Sequence, residues 1–232
     1  MKHCMLLWKK PCSDSLDFEI EALYHILTEF KNRGSCFAPN YLPAKNKKKS
    51  RSFEWSFKSF KEKILSAPIN KGNKALGELG YSISLFSSFD ENECVGFQAT
   101  VGTRNDRFYD VLIVNLPDGL LYAKKNRQMI CELFRIAVKE FRPFWGCITD
   151  LSFFHQFSDF VDQGKPTTVH WVNYWSNEIV SDVGEQCLST IFSQYSITMK
   201  NGVFMTSCEP LDIAVAKNLE FIMGLNKKMR LE

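Results

Sequence analysis

Apolar positions in this chain fall into runs whose spacing changes several times, and each change marks an element boundary. Residues 2–8 read as a short strand, and the Pro11–Ser15 stretch as a turn in which Ser13, Asp14 or Ser15 can cap a helix. From 16 to 33 the residues Leu16, Ile20, Leu23, Leu27 and Phe30 recur at helical spacing, and Gly34 stands where a helix stops. Residues 35–52 read as a polar loop, and Trp55, Phe57, Phe60, Ile64 and Leu65 as the apolar face of a second helix ending before Pro68.

Beyond a glycine-rich connector the period shortens to two. Tyr81, Ile83 and Leu85 alternate with serines, residues 95–101 alternate again, and residues 111–116 form a third extended run. Connections this short favour an antiparallel meander, because parallel neighbours need crossovers of about a dozen residues or more. Helical spacing returns over 124–140 through Met129, Ile130, Leu133, Phe134 and Ala137, and Pro143 closes the run. Residues 145–149 and 168–175 read as strands, and Val183, Cys187, Leu188, Ile191 and Phe192 as a helix face. A hairpin is expected about Asn201-Gly202, followed by a helix starting near Pro210. Helices and antiparallel strands mix without a βαβ repeat, so the predicted class is α+β, a mostly antiparallel sheet packed against several helices, in a single domain of residues 1–232.

Composition supports a packed interior: 45% of the residues are hydrophobic and 20 are phenylalanine. Eight cysteines are widely spaced, with no Cys-x-x-Cys pair, and the four histidines are scattered, so the thiols are expected to be reduced and neither a metal site nor a cofactor is expected. The first ten residues lack a signal-peptide core, and no segment reaches the roughly 20 apolar residues of a membrane span. A cytoplasmic protein with no membrane partner is the expectation.

Charge is uneven. Residues 1–80 hold 15 Lys/Arg against 8 Asp/Glu, and residues 81–232 hold 14 against 18. Lys45, Lys47, Lys48, Lys49 and Arg51 concentrate the excess in one tract, which reads as a solvated loop or, alternatively, as the footprint of a nucleic-acid-binding module.

Catalytic grammar is missing. There is no Gly-x-Ser-x-Gly elbow, no phosphate loop and no dinucleotide fingerprint. His25 and His170 are possible bases but read better as satisfied structural histidines, and Glu29-Phe30-Lys31 lies inside a helix, the wrong setting for a nuclease metal site. No catalytic residue is assigned. The acids Asp90, Glu91 and Glu93 crowd one turn, and Asp106 and Asp110 flank a strand start; if they have a function, it is contact with another protein. Between Trp171 and Trp175 one strand face carries Trp171, Asn173 and Trp175 and the other Val172 and Tyr174; if one face is core the other still shows aromatic or amide groups, so Asn173, Trp175 and the nearby Glu178 join the candidate contacts.

Trp55, the Gly80-Tyr81 pair, Phe144-Trp145-Gly146 after a long helix, and His170-Trp171-Val172-Asn173-Tyr174 before a terminal hairpin and helix together resemble the immunity protein 52 family of bacterial polymorphic-toxin systems. Where that family shows Gly-Trp, this chain has His170-Trp171. The resemblance implies an α+β antitoxin that binds a cognate protein toxin encoded by the adjacent gene, with a restriction-endonuclease-like nuclease fold. It also implies that Trp55, Trp145, Gly146, Trp171 and Tyr174 support the fold rather than touch the toxin. Oligomeric state is left open by the sequence.

Overall fold

A computed structural model describes residues 2–44, 50–69, 79–151, 169–183, 196–206 and 215–229. The fold is α+β, with antiparallel strands packed against helices, and the chain divides into two compact units. One comprises Leu7–Pro143; the other joins Met1–Leu6 to Phe144–Glu232. Strand β1 (Lys2–Lys9) is divided between them, residues 7–9 belonging to the first and residues 2–6 to the second.

In the unit Leu7–Pro143, helix α1 (Leu16–Asn32) starts where the serine cap predicts: Ser15 Oγ accepts the Phe18 N–H at 3.2 Å. Its stripe of Ile20, Leu23, Leu27 and Phe30 is buried. Two brief strands, β2 (Tyr41–Leu42) and β3 (Arg51–Ser52), occupy the stretch the pattern assigns to loop. Two residues are too few to display a period, so alternation has nothing to register there. Helix α2 (Phe57–Leu65) is capped by Ser56, which leaves Trp55 ahead of the helix instead of on its face. The indole lies stacked on Tyr24 at 5.1 Å between ring centroids and donates from Nε1 to Thr28 Oγ1 at 3.2 Å. Half-buried and hydrogen-bonded, Trp55 joins α1 to α2 as a structural ring.

Strands β4 (Tyr81–Phe86), β5 (Gly96–Val101) and β6 (Asp110–Pro117) form the expected meander, and the sheet order in this unit is β3-β2-β4-β5-β6 with antiparallel registers. Gly80 opens β4 at φ +80°, and a Cβ there would sit 2.3 Å from the Val101 carbonyl oxygen. A short helix α3 (Asp118–Tyr122) precedes α4 (Lys124–Phe141). Helix α4 packs on α1, and its Ile130, Leu133, Phe134, Ala137 and Phe141 are buried. Arg142 ends it in a left-handed conformation, φ 55° and ψ 54°, and its guanidinium lies 4.8 Å over the Phe18 ring.

In the other unit, β1 is followed in sheet order by β7 (Trp145–Asp150), β8 (Val172–Ser176), β10 (Gly202–Thr206) and β9 (Ser196–Met199), accompanied by α5 (Asn177–Val183) and α6 (Ala216–Met229). Trp145 lies opposite Trp175 and Gly146 opposite Tyr174 across β7 and β8. The helix read at 183–192 and the start near Pro210 lie outside the described residues, apart from Val183, which ends α5.

The hairpin forms, but shifted from its textual signal. Met199 pairs with Gly202, so the two loop residues are Lys200 and Asn201, and Gly202 belongs to the strand. It is glycine for lack of room: a Cβ there would meet the Trp175 carbonyl oxygen at 2.2 Å and Ser176 Cα at 2.9 Å. We expect Gly202→Ala to force β8 and β10 apart and cost about 1–3 kcal/mol; a denaturation midpoint equal to that of the parent would refute this reading.

Candidate functional site

Two constellations in the unit Leu7–Pro143 carry polar chemistry, one buried and one exposed. The buried one centres on Glu19, 3% exposed on α1. Its Oε1 accepts from Lys9 Nζ at 3.2 Å, Cys12 Sγ at 3.1 Å and Arg104 Nη1 at 3.3 Å. Arg104 also donates from Nη2 to the Asp14 carbonyl at 2.7 Å, and Lys9 lies 3.7 Å from the Asp14 carboxylate. Burial alone would lower the Lys9 ammonium; the Glu19 carboxylate and the Cys12 sulfur outweigh it, so its pKa stands above the ordinary value. Glu19 was not among the residues singled out by pattern, yet a signal existed. It continues the helical stripe of Leu23, Ile26 and Phe30, the place for a core residue and therefore for a carboxylate that needs partners.

Asp110 belongs beside this cluster and not on a binding surface. It is 1% exposed, with Oδ1 accepting the Thr103 N–H at 3.0 Å and Oδ2 the Gly102 N–H at 3.2 Å. Those bonds close the β5–β6 connection over Gly102, at φ +79°. Burial pushes its pKa up to about 6 against the opposing backbone bonds. Period two again carried the signal, since Asp110 is in phase with the buried Leu112, Val114 and Leu116.

The exposed constellation lies between β2 and the β4–β5 turn. Tyr41 and Phe86 face each other in register, and Phe89 closes a three-ring cluster, its centroid 4.6 Å from Tyr41 and 5.3 Å from Phe86. Phe89 remains 44% exposed. Phe86 and Phe89 line an open groove of about 200 Å³ together with Pro43, Ala44 and Ser50 from the β2–β3 side and Ser88, Glu91 and Cys94 from the β4–β5 connection. Sites for drug-sized ligands occupy about 300–1,000 Å³, so a single inserted side chain suits this groove better.

The turn beside it is held in shape. Asp90 Oδ1 accepts the Asn92 N–H at 2.9 Å, Ser88 Oγ accepts the Asp90 N–H at 3.0 Å, and Ser87 Oγ accepts the Val95 N–H at 2.9 Å. Asp90, Glu91 and Glu93 are exposed on this turn, and of the three Glu91 lines the groove. The aromatic half of this site was missed in the sequence because Phe86 ends a strand and Tyr41 sits in a stretch read as loop.

The remaining candidates do not join it. Asp106 is exposed on the loop at the opposite end of β5, roughly 20 Å away at strand rise. Asn173 and Trp175 are buried, 1% and 0% exposed, because β8 is covered on both faces; the expectation that one face stays open is corrected. Asn173 instead closes a bend, accepting the His170 N–H at 2.8 Å and donating to its carbonyl at 2.7 Å. Glu178 is exposed on α5 in the other unit.

Trp145, Trp171 and Tyr174 are buried, as befits supporting residues, and the Tyr174 hydroxyl donates to the Asn201 carbonyl at 2.9 Å. His170 is buried with Nδ1 2.8 Å from Thr149 Oγ1, and burial lowers its pKa to about 3, which keeps the imidazole neutral. His25 sits on α1. Cys4, Cys12, Cys36, Cys94, Cys131 and Cys147 are free thiols, and burial followed by the Asp150 charge raises Cys4 to about 12. Among the described residues no cluster of three or more His, Cys, Asp or Glu side chains could hold a metal, and no helix is long and apolar enough to cross a membrane. Lys45, Lys47, Lys48 and Lys49 lie outside the described residues; Arg51 is exposed on β3.

No family model matches the chain, and no curated protein matches it. Among solved structures it is similar in fold to the Pseudomonas aeruginosa T6SS protein PA0821, with a TM-score of 0.61 and 14% identity over 99% of this chain and 72% of that one.

The raised Asp110 pKa has a signed consequence. Between its ordinary value of 3.8 and about 6, the folded protein keeps a proton that the unfolded chain releases. Its contribution to stability is therefore complete at low pH and is lost as pH rises through about 6. Asp110→Asn removes this slope, so wild-type stability relative to the variant should fall by on the order of 2–3 kcal/mol from pH 4 to pH 7. A pH-independent difference would contradict it. Glu19→Ala removes the nearer and more buried of the two carboxylates beside Lys9, leaving Asp14 at 3.7 Å, and should cost roughly 3–5 kcal/mol by urea denaturation; a loss below about 1 kcal/mol would show that Glu19 is dispensable.

Proposed function

We propose that this protein acts by binding another protein and that it is an immunity protein, neutralising a cognate toxin encoded by the adjacent gene. The observation that carries the reading is the apolar groove beside the acidic turn, where exposed Phe89 is followed in the chain by exposed Asp90, Glu91 and Glu93. Aromatic rings are enriched in interface cores, and fixed carboxylates steer and register a cationic partner. A nuclease toxin suits such a turn, because a surface that grips phosphates is itself basic.

The neutralising role draws on two further supports. The order and identity of the signature aromatics resemble the immunity protein 52 family, and the Pseudomonas aeruginosa T6SS protein PA0821 is similar in fold. In this reading inhibition is stoichiometric, and no side chain of the chain takes part in covalent chemistry. The described groups most able to react support it: His170 is buried and neutral, Asp110 ties down a backbone turn, and the buried thiols are held protonated.

Co-expression with the neighbouring gene tests the proposal. A 1:1 complex should co-purify through size exclusion, and induction of the toxin should arrest cells only when this protein is absent. Absence of a complex, together with no rescue of growth, would reject the reading.

A further inference from the structure

We propose that the β5–β6 connection, residues 102–109, is a proton-operated clasp, shut while Asp110 carries a proton and loosened when Asp110 ionises beside Glu19. Two buried carboxylates hold one short stretch of this connection. Asp110 accepts the Gly102 and Thr103 N–H groups, and Glu19 Oε1 accepts from the guanidinium of Arg104, the next residue. Gly102 lies against both acids: its N–H is 3.2 Å from Asp110 Oδ2, and a Cβ on it would be 3.8 Å from Glu19 Oε2.

The charges match only while Asp110 is neutral. Among the described residues, Lys9 of β1 and Arg104 are the cations on Glu19, and Lys9 also serves Asp14 at 3.7 Å. Arg142, at the end of α4, adds a cation on the outer side, 3.9 Å from Asp14. Cys12 donates its thiol to Glu19, and Tyr81 of β4 packs beside Gly102; neither contributes a positive charge. An ionised Asp110 is thus a third carboxylate for the two inner cations. Glu19 Oε2, which is buried and has no hydrogen-bond partner, leaves no donor on that oxygen to offset a second negative charge nearby. Burial, with the Glu19 charge adding to it, accordingly holds Asp110 up at about 6 despite its backbone bonds and Lys9.

Opening the connection returns Asp110 to water and to its ordinary value of 3.8, so the open form releases the proton more readily. Closure is therefore strongest below about pH 4 and weakens as pH rises through about 6, and the opening constant should grow on the order of 100-fold across that interval. The stretch set loose carries the exposed Asp106, Arg107 and Phe108, so their presentation on the surface becomes sensitive to pH.

NMR on the full-length protein from pH 4 to pH 8 tests the clasp. The Asp110 carboxyl carbon should titrate near pH 6. Over the same range the Gly102 and Thr103 amides, corrected for base-catalysed exchange, should lose protection on the order of 100-fold. In Asp110→Asn that protection should be level with pH. Glu19→Gln, which keeps the shape and removes the charge, should move the Asp110 midpoint down toward the ordinary carboxylate range, and Lys9→Met should move it up. A wild-type midpoint near the ordinary value, a midpoint unmoved by whichever of these two variants folds, or protection that stays level through pH 6 in the wild type overturns the proposal. If neither variant folds, the wild-type titration and exchange, set against Asp110→Asn, decide it.

Discussion

A single buried carboxylate organises one half of this molecule. Glu19 is held by an ammonium, a thiol and a guanidinium that come from three separate places: the end of β1, the turn before α1, and the β5–β6 connection. Taking a carboxylate out of water is costly unless it is paired and hydrogen-bonded, so α1 can place Glu19 in the core only if those three segments converge on it. Asp110 extends the arrangement by fastening the backbone of the same connection. The polar interior thus fixes where α1 sits against the strands, and the apolar stripe of α1 then packs on α4.

This arrangement has a functional corollary. The buried acids, thiols and imidazole described above are occupied in holding backbone turns, in ion pairs, or in apolar surroundings that keep them uncharged. What the unit Leu7–Pro143 offers to the outside is a sheet margin with exposed rings and a stiff acidic turn. Shape and charge are the properties such a surface can use, and both act in protein recognition, where one well-seated ring contributes more than the surrounding contact area.

Much of the fold could be read from spacing. Helix α1 with its serine cap, the β4–β5–β6 meander and the β9–β10 hairpin follow from periods of 3.6 and 2 and from turn chemistry. The missed parts share a cause: β2 and β3 are too short to show any period, and Trp55 and Gly202 obey local geometry that their motifs do not encode. For the site, the acidic turn was legible because Asp90, Glu91 and Glu93 are adjacent in sequence. The groove was not, because Tyr41 meets Phe86 and Phe89 only through strand pairing across a long connection. Asp110 and Asn173 show the opposite error: their residue types suggested surface contacts, while the phase of Asp110 in the alternation of β6, and the burial of β8 on both faces, placed them inside.

The claim at the centre of this account is that the β2 margin and the β4–β5 turn form the contact surface for a protein partner. Hydrogen–deuterium exchange on the complex with the adjacent gene's product tests it most directly. Slowed exchange confined to residues 41–44 and 86–94 is the predicted result, and slowed exchange only on other segments, with those two unchanged, would contradict it.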